Sequence, residues 1–389
     1  MYPSLRWVFG EVFSGKGPPP RPVIFIIITW NIIMHPRRTS WSKILIVLFI
    51  LCLFSVVPLA ILSYTNKPTF SDGNYDFIRD EGRHIRISGQ HAYNFDSIIN
   101  QDAAVTQWSF SQIDGGQRDG LPKPKCPAEL LLLILVTSSP ENKEIRNTIR
   151  NTWASIQGSP GHKYKTVFLI GETPDYDLNI AVNREIQTYG DIVKGAYLDT
   201  YRNLTYKVLH GFHWASTSCL SQYYLKTDDD CFINTMYLPK FLVSHNKKSE
   251  KLYVGNVFSE KQKRQVIRNT DNRWYVPKSH YAPDYYPKYA SGTGYITSHD
   301  VLHDIIETSQ TVPPFPNEDA YIGVLVDKIN ISPMNSFRFT FHNTKWSTCN
   351  FRYLFQVHQV NSTQLMEMFN MVKKSQTMCG NEKLITSWN

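Results

Sequence analysis

No two cysteines of this 389-residue chain stand in a C-x-x-C spacing, which excludes the common structural zinc sites. Acidic residues are outnumbered. Against 41 Lys and Arg there are 33 Asp and Glu, and the formal charge of +8 raises the question of nucleic acid. Its distribution answers the question: Arg6, Lys16, Arg21, Arg37, Arg38 and Lys43 against Glu11 put a net +5 within residues 1–64, leaving +3 for everything beyond. Neither a basic stripe nor a nucleic-acid motif is visible there, so no nucleic-acid partner is expected. Charge is scarce throughout, at 19%, and residues 44–64 (ILIVLFILCLFSVVPLAILSY) have none.

At about 1.5 Å per residue, that run covers the roughly 30 Å hydrocarbon core of a bilayer. Arg37, Arg38 and Lys43 precede it and only Lys67 follows closely, so the N-terminus is expected in the cytosol and the remainder in a lumen. The run is long for a signal-peptide core and no small-residue cleavage site stands out, so it reads as an uncleaved single-pass anchor. The expected division is a cytoplasmic tail at 1–43, the anchor at 44–64, a stem or linker at 65–125 with weak periodicity and the loop-like DGGQRDG, and a lumenal domain at 126–389. Met34, followed by His35-Pro36-Arg37-Arg38 and the anchor, is a second plausible start of translation. Three N-glycosylation sequons, at Asn203, Asn330 and Asn361, lie on the lumenal side. So do five of the six cysteines, Cys126, Cys219, Cys231, Cys349 and Cys379. Five is odd, so at least one stays free or pairs between chains, the latter giving a homo-oligomer.

Within 126–389, apolar runs alternate with helical patterns, the signature of an α/β domain with a mostly parallel sheet. Residues 130–136 are an unbroken aliphatic strand. Thr137-Ser138-Ser139 ends it, and Ser139-Pro140-Glu141 has the cap, first-turn proline and early acid of a helix start. Strand, polar turn and helix N-terminus in this order make a phosphate or nucleotide site. On the helix, Arg146 and Arg150 share a face. A second strand is expected at 166–170, a helix through Tyr189, a third strand at 191–197 and a helix at 205–217.

That last helix leads into Tyr223-Tyr224-Leu225-Lys226-Thr227-Asp228-Asp229-Asp230-Cys231-Phe232. A solvated acidic turn would carry Gly, Pro, Ser or Asn around it, whereas here apolar residues press on three carboxylates from both sides. Three acids at the end of a buried strand call for a cation. A hard divalent ion such as Mn²⁺ or Mg²⁺, with a phosphorylated substrate on its open positions, supplies one. In α/β sheets ligands gather at the carboxyl ends of strands, which is where these acids fall.

Further on, Trp274, Tyr275, Tyr281, Tyr285, Tyr286 and Tyr289 stand among prolines in a loop whose aromatic faces suit sugar rings. Gly292 and Gly294, in SGTGY, would let a ligand approach the backbone closely. Glu318-Asp319 opens a helix with apolar residues behind it, where Asp319 can both cap and act as an oriented base. His358 ends a short alternating strand and becomes a metal-ligand candidate only if the fold returns it to the triple Asp. Leu365, Met368, Phe369 and Val372 mark a closing amphipathic helix.

In this order the residues resemble the β1,3-glycosyltransferase family of the Golgi, its β1,3-galactosyltransferase branch most closely. The resembling pieces are Arg146-x-x-x-Arg150-x-Thr152-Trp153, Asn203-Leu204-Thr205-x-Lys207, Lys226-Thr227-Asp228-Asp229-Asp230, Tyr286-Pro287-x-Tyr289-x-Ser291-Gly292-x-Gly294-Tyr295, Glu318-Asp319 with Gly323, and Val357-His358-Gln359. Departures are Cys231 where an apolar residue is usual, Ala320 where the family has Val, and Ala290 where the branch often has Cys, which bears on one family-type disulfide.

The resemblance implies a GT-A fold, a divalent cation, a UDP-sugar donor, a glycan acceptor and inversion at the anomeric carbon. It implies Asp230 and His358 as metal ligands, Asp319 as the base on the acceptor's 3-hydroxyl, Thr137, Ser138, Arg146 and Arg150 on the nucleotide, and Asp228 and Asp229 completing the donor side. It favours UDP-galactose over UDP-N-acetylglucosamine and places the protein in the Golgi membrane. Rival classes are a membrane-anchored glycan-binding protein without catalysis and a metal-dependent phosphohydrolase; the joint presence of Asp230 and Asp319 argues against the first, and the lack of further close Asp/His clusters against the second.

Overall fold

The computed structural model describes residues 108–389 apart from 115–119, 156–157, 159–161, 247 and 381–386. The expected anchor at 44–64 and most of the expected stem lie outside the described residues. Among the described residues no helix is long and apolar enough to cross a membrane.

The aliphatic run forms β1 (Leu130–Thr137), buried at every position. It lies in the middle of a seven-stranded sheet with β2 (Tyr164–Glu172) and β4 (Ser221–Asp228) parallel on either side. Beyond β2 comes β3 (Ile192–Leu198), also parallel; beyond β4 come β7 (Tyr289–Ser298), β6 (Tyr253–Phe258) and the short β8 (Met334–Asn335). Only β7 runs against its neighbours, so the sheet is mostly parallel, as the alternating pattern requires. A second, three-stranded sheet joins β5 (Cys231–Ile233), β10 (Gln356–His358) and β9 (Phe339–Thr340) in that order.

The large sheet divides the core. Leu133 and Leu135 face one cluster, shared with helices α4 (Leu204–Ser218), α6 (His299–Ser309) and α7 (Glu318–Lys328). Ile134 and Val136 face the other, shared with α2 (Lys143–Asn151), α3 (Tyr176–Tyr189), α5 (Leu238–His245) and α8 (Ser362–Met378). The side chains Leu365, Met368, Phe369 and Val372 are the buried stripe of α8, as their spacing predicts.

Two expectations shift. The helix after β1 begins at Lys143 rather than at Ser139, because residues 138–140 wrap the Arg146 guanidinium and the turn Asn142 N–H to Ser139 C=O intervenes. The stretch read as linker contains α1 (Phe110–Ile113), held to the domain by Trp108 Nε1 donating to Ser309 O at 2.8 Å and by Phe110 stacking on His213. The cysteines resolve into Cys126–Cys219 and Cys349–Cys379, with Cys231 free and buried, away from any surface where a second chain's thiol could meet it. Of the sequons, Asn330 and Asn361 are exposed, whereas Asn203 is buried with Nδ2 donating to Leu198 O.

Candidate active site

Strand register builds the acidic turn. Thr137 is the residue opposite Asp228 in the β1/β4 ladder, and its hydroxyl donates to Asp228 Oδ1 at 2.6 Å. One residue on, Ser138 Oγ donates to Asp229 Oδ2 at 2.7 Å and Asn142 Nδ2 reaches the same oxygen at 3.0 Å. Thr137, Ser138, Asp228 and Asp229 are therefore one hydrogen-bonded group at the carboxyl end of the sheet. Burial raises the Asp229 carboxyl; Ser138 and Asn142 pull it partly back, while Asp228 and Asp230 push the same way as burial.

His358 does return to the triple Asp. The chain turns at Asp230 into β5, which pairs with β10 so that His358 lies opposite Cys231. Nε2 of His358 is 3.3 Å from Asp230 Oδ2, and Nδ1 is 3.0 Å from Phe341 O. A ring whose Nδ1–H is given to a carbonyl presents the Nε2 lone pair, the tautomer a metal takes. Ligand atoms of Asp228, Asp230 and His358 all lie within 4.8 Å of one another, and two carboxylates with one imidazole is a donor set suited to Mn²⁺ or Mg²⁺. Burial depresses the His358 imidazole, and Asp230 more than offsets this, leaving it raised.

The second group stands on α7. Asp319 stands in its first turn, with Oδ2 accepting from Gly292 N–H at 3.0 Å and Oδ1 from Ala320 N–H at 2.8 Å. The residue before the helix, Asn317, has φ 94°, an uncommon conformation for a residue with a side chain, and makes no side-chain cap. Burial raises the Asp319 carboxyl above the usual carboxylate range, the two N–H donors and Lys226 lower it, and the net is upward.

Residues 144–336 match the family model described as Galactosyltransferase. Beta-1,3-galactosyltransferase 1 of mouse is 33% identical over 259 residues, which cover 66% of this chain and 78% of that protein; the human protein of that name gives the same figures. The chain belongs to the β1,3-galactosyltransferase family. It is a glycosyltransferase. Human beta-1,3-galactosyltransferase 2 is 33% identical over 263 residues, 64% of this chain and 60% of that protein. A solved bifunctional glycosyltransferase, WbbM, covers 65% of the chain with a TM-score of 0.34 and 8% identity, too slight a likeness to argue from.

Two expectations for this member of the family shift. Arg146 and Arg150 are taken up by partners within the protein. Arg146 is fully buried, donating to Glu185 at 2.7 and 2.9 Å, to Ser138 Oγ at 3.0 Å and to the carbonyls of Ser139 and Pro140. Arg150 pairs with Asp191 and Glu185 and lies over the rings of Tyr189 and Phe168. Arg146 thus shapes the Ser138 loop from behind, and Arg150 supports Glu185. The glycines, too, answer to protein neighbours. A Cβ on Gly294 would run into the Gln356 side chain, and one on Gly292 would come within 3.1 Å of Glu318 Oε2.

Of the six loop aromatics, Tyr286 and Tyr289 are buried, and Tyr286 and Tyr281 pack against Phe315. Trp274 and Tyr285 stay exposed, with the Trp274 indole N–H on Tyr201 Oη at 2.8 Å.

The sequence alone assigns no role to Lys226 or Lys207, and to Glu318 only a place beside Asp319 at a helix start. Lys226 is buried in β4 with its ammonium 2.7 Å from Asp228 Oδ1. Glu318 is buried beneath Tyr295, and Lys207 joins Asp199 to the Ser138 carbonyl. A signal was available: a lysine in the interior of an apolar strand cannot stay charged without buried acceptors.

Proposed function

We propose that this glycosyltransferase moves galactose from UDP-galactose, with inversion and in β1,3 linkage, onto a terminal sugar of a glycoprotein or glycolipid glycan. We also infer a GT-A-type domain at 126–389, lumenal in the Golgi and anchored through residues 44–64. The observation that carries the reading is the meeting of Asp228, Asp230 and His358 at the end of β4, with Asp319 tied to the same turn through Gly292 and Lys226, in a chain of this family.

Asp228, Asp230 and His358 would hold a divalent cation, Mn²⁺ or Mg²⁺, which when bound offsets the charge of the departing diphosphate. Thr137 and Ser138 keep Asp228 and Asp229 aimed, so the donor side is set before substrate arrives. Asp319 accepts the proton of the acceptor's 3-hydroxyl. Two backbone N–H groups fix its direction, and its raised carboxyl is a better base than an exposed one. Attack from the face opposite the leaving group turns an α-linked donor into a β-linked product in one displacement, and needs no sugar bound to the protein.

The test is UDP release by the full-length chain from UDP-galactose and UDP-N-acetylglucosamine, each with and without a panel of N-acetylhexosamine-, galactose- and mannose-terminated acceptors. Acceptor-dependent release from UDP-galactose, with a β1,3 linkage in the product by NMR, is expected. Preference for UDP-N-acetylglucosamine would overturn the donor, and no acceptor-dependent release with any sugar would overturn the transferase reading.

A further inference from the structure

Lys226 lies between the acidic turn and the first turn of α7. Its side chain is wholly buried, and its ammonium donates to Asp228 Oδ1 at 2.7 Å and to the Gly292 carbonyl, with Glu318 Oε2 at 3.5 Å. Two of its N–H donors go to Asp228 and Gly292, and Glu318 Oε2, which accepts no hydrogen bond, is held to the ammonium as an ion pair. Gly292 also donates its N–H to Asp319 Oδ2 at 3.0 Å, so the glycine is held by Lys226 on one side and holds Asp319 on the other. The path Asp228, Lys226, Gly292, Asp319 runs from the acidic turn across β4 and β7 to the first turn of α7. Glu318, one residue before Asp319, is drawn to the same ammonium and pinned by the Tyr295 hydroxyl at 2.6 Å.

We propose that Lys226 is a positioning residue: through Gly292 and Glu318 it fixes the distance between Asp319 and the acidic turn, and so the distance between the acceptor hydroxyl and the anomeric carbon. A lysine that merely neutralised buried acids would need only charge. This one holds a backbone carbonyl between two functional groups as well, and a displacement of about 1 Å in such a pair costs on the order of 10²-fold in rate.

The inference rests on Asp319 being the base. Full-length Lys226→Met, Glu318→Gln, the double variant and Gly292→Ala are compared with the wild type for melting temperature, UDP affinity by calorimetry, kcat and KM. Lys226→Met is expected to lose stability and turnover together. The double variant removes the ammonium together with its Glu318 partner, so it is expected to regain melting temperature and UDP affinity while kcat stays at least about tenfold low. Gly292→Ala crowds Glu318 and Asp319 without removing any charged group and is expected to lower kcat, with acceptor KM and UDP affinity within about twofold. Recovery of kcat along with melting temperature in the double variant, or a Gly292→Ala enzyme with wild-type kcat, would overturn the proposal. If Lys226→Met fails to fold, Gly292→Ala decides. Failure of the underlying reading looks different: Asp319→Asn would then keep its turnover whatever these variants do.

Discussion

The hydroxyl of Tyr295 donates to Glu318 Oε1 at 2.6 Å, and both groups are buried. Burial raises the Glu318 carboxyl; Lys226 opposes this, Asp319 reinforces it, and the result is about 7. A carboxyl raised on folding binds more protons in the native state than in the unfolded chain between about pH 4.5 and 7, so its contribution to stability falls as pH rises through that window. The difference in melting temperature between wild type and Glu318→Gln, followed from pH 4.5 to 8, should therefore move in favour of the variant with rising pH. A difference independent of pH would mean that Glu318 titrates as an ordinary surface carboxyl.

Asp319→Asn keeps one oxygen for Gly292 or Ala320, so a stability loss of only about 1 kcal/mol is expected. As the proposed base it has no substitute, so turnover should fall by about 10²-fold or more with UDP affinity unchanged. Single-turnover kinetics at saturating donor read this directly. A variant with near wild-type turnover would move the proton elsewhere.

Removal of either partner of the Asp230–His358 pair should weaken Mn²⁺ binding by at least about tenfold, measured by calorimetry or by the spectrum of free Mn²⁺. Transfer should cease in EDTA and return on adding Mn²⁺. Asp230→Ala should remain folded, since that side chain is half exposed. Undiminished transfer in chelator would remove the cation from the mechanism.

Arg146→Met leaves Glu185 buried beside Arg150 alone and should cost about 3–5 kcal/mol, seen as a large fall in melting temperature. Donor KM should rise with it, because residues 138–140 lose the group they wrap. Loss of donor binding at full stability would instead put Arg146 on the nucleotide.

Much of this was legible in the chain. The seven apolar residues that open β1 could only be a buried strand, and the acids after Leu225 had to lie at a carboxyl end. What could not be read were partners supplied by distant segments. Arg146 carries the same charge whether it faces a phosphate or Glu185, and only the fold brings Glu185, 39 positions away, to it. Gly294 reads as room for a ligand until Gln356 fills the space. Glu318 shows both sides of this. Its direction, about 100° from Asp319 around the helix, follows from helix geometry, but that this direction leads to Tyr295 and Lys226 rather than to solvent does not.

The pairing of β5 with β10 joins residues about 125 positions apart, and this has a temporal consequence. At about 5–20 residues per second, a ribosome that has just made Asp230 needs on the order of ten seconds to reach His358. Until then the nascent chain carries its three aspartates without the imidazole that completes the group. On the proposed cation site, a polypeptide that stalls or is cut before β10 lacks one of the three donors, so capture of the cation would report that synthesis has passed His358.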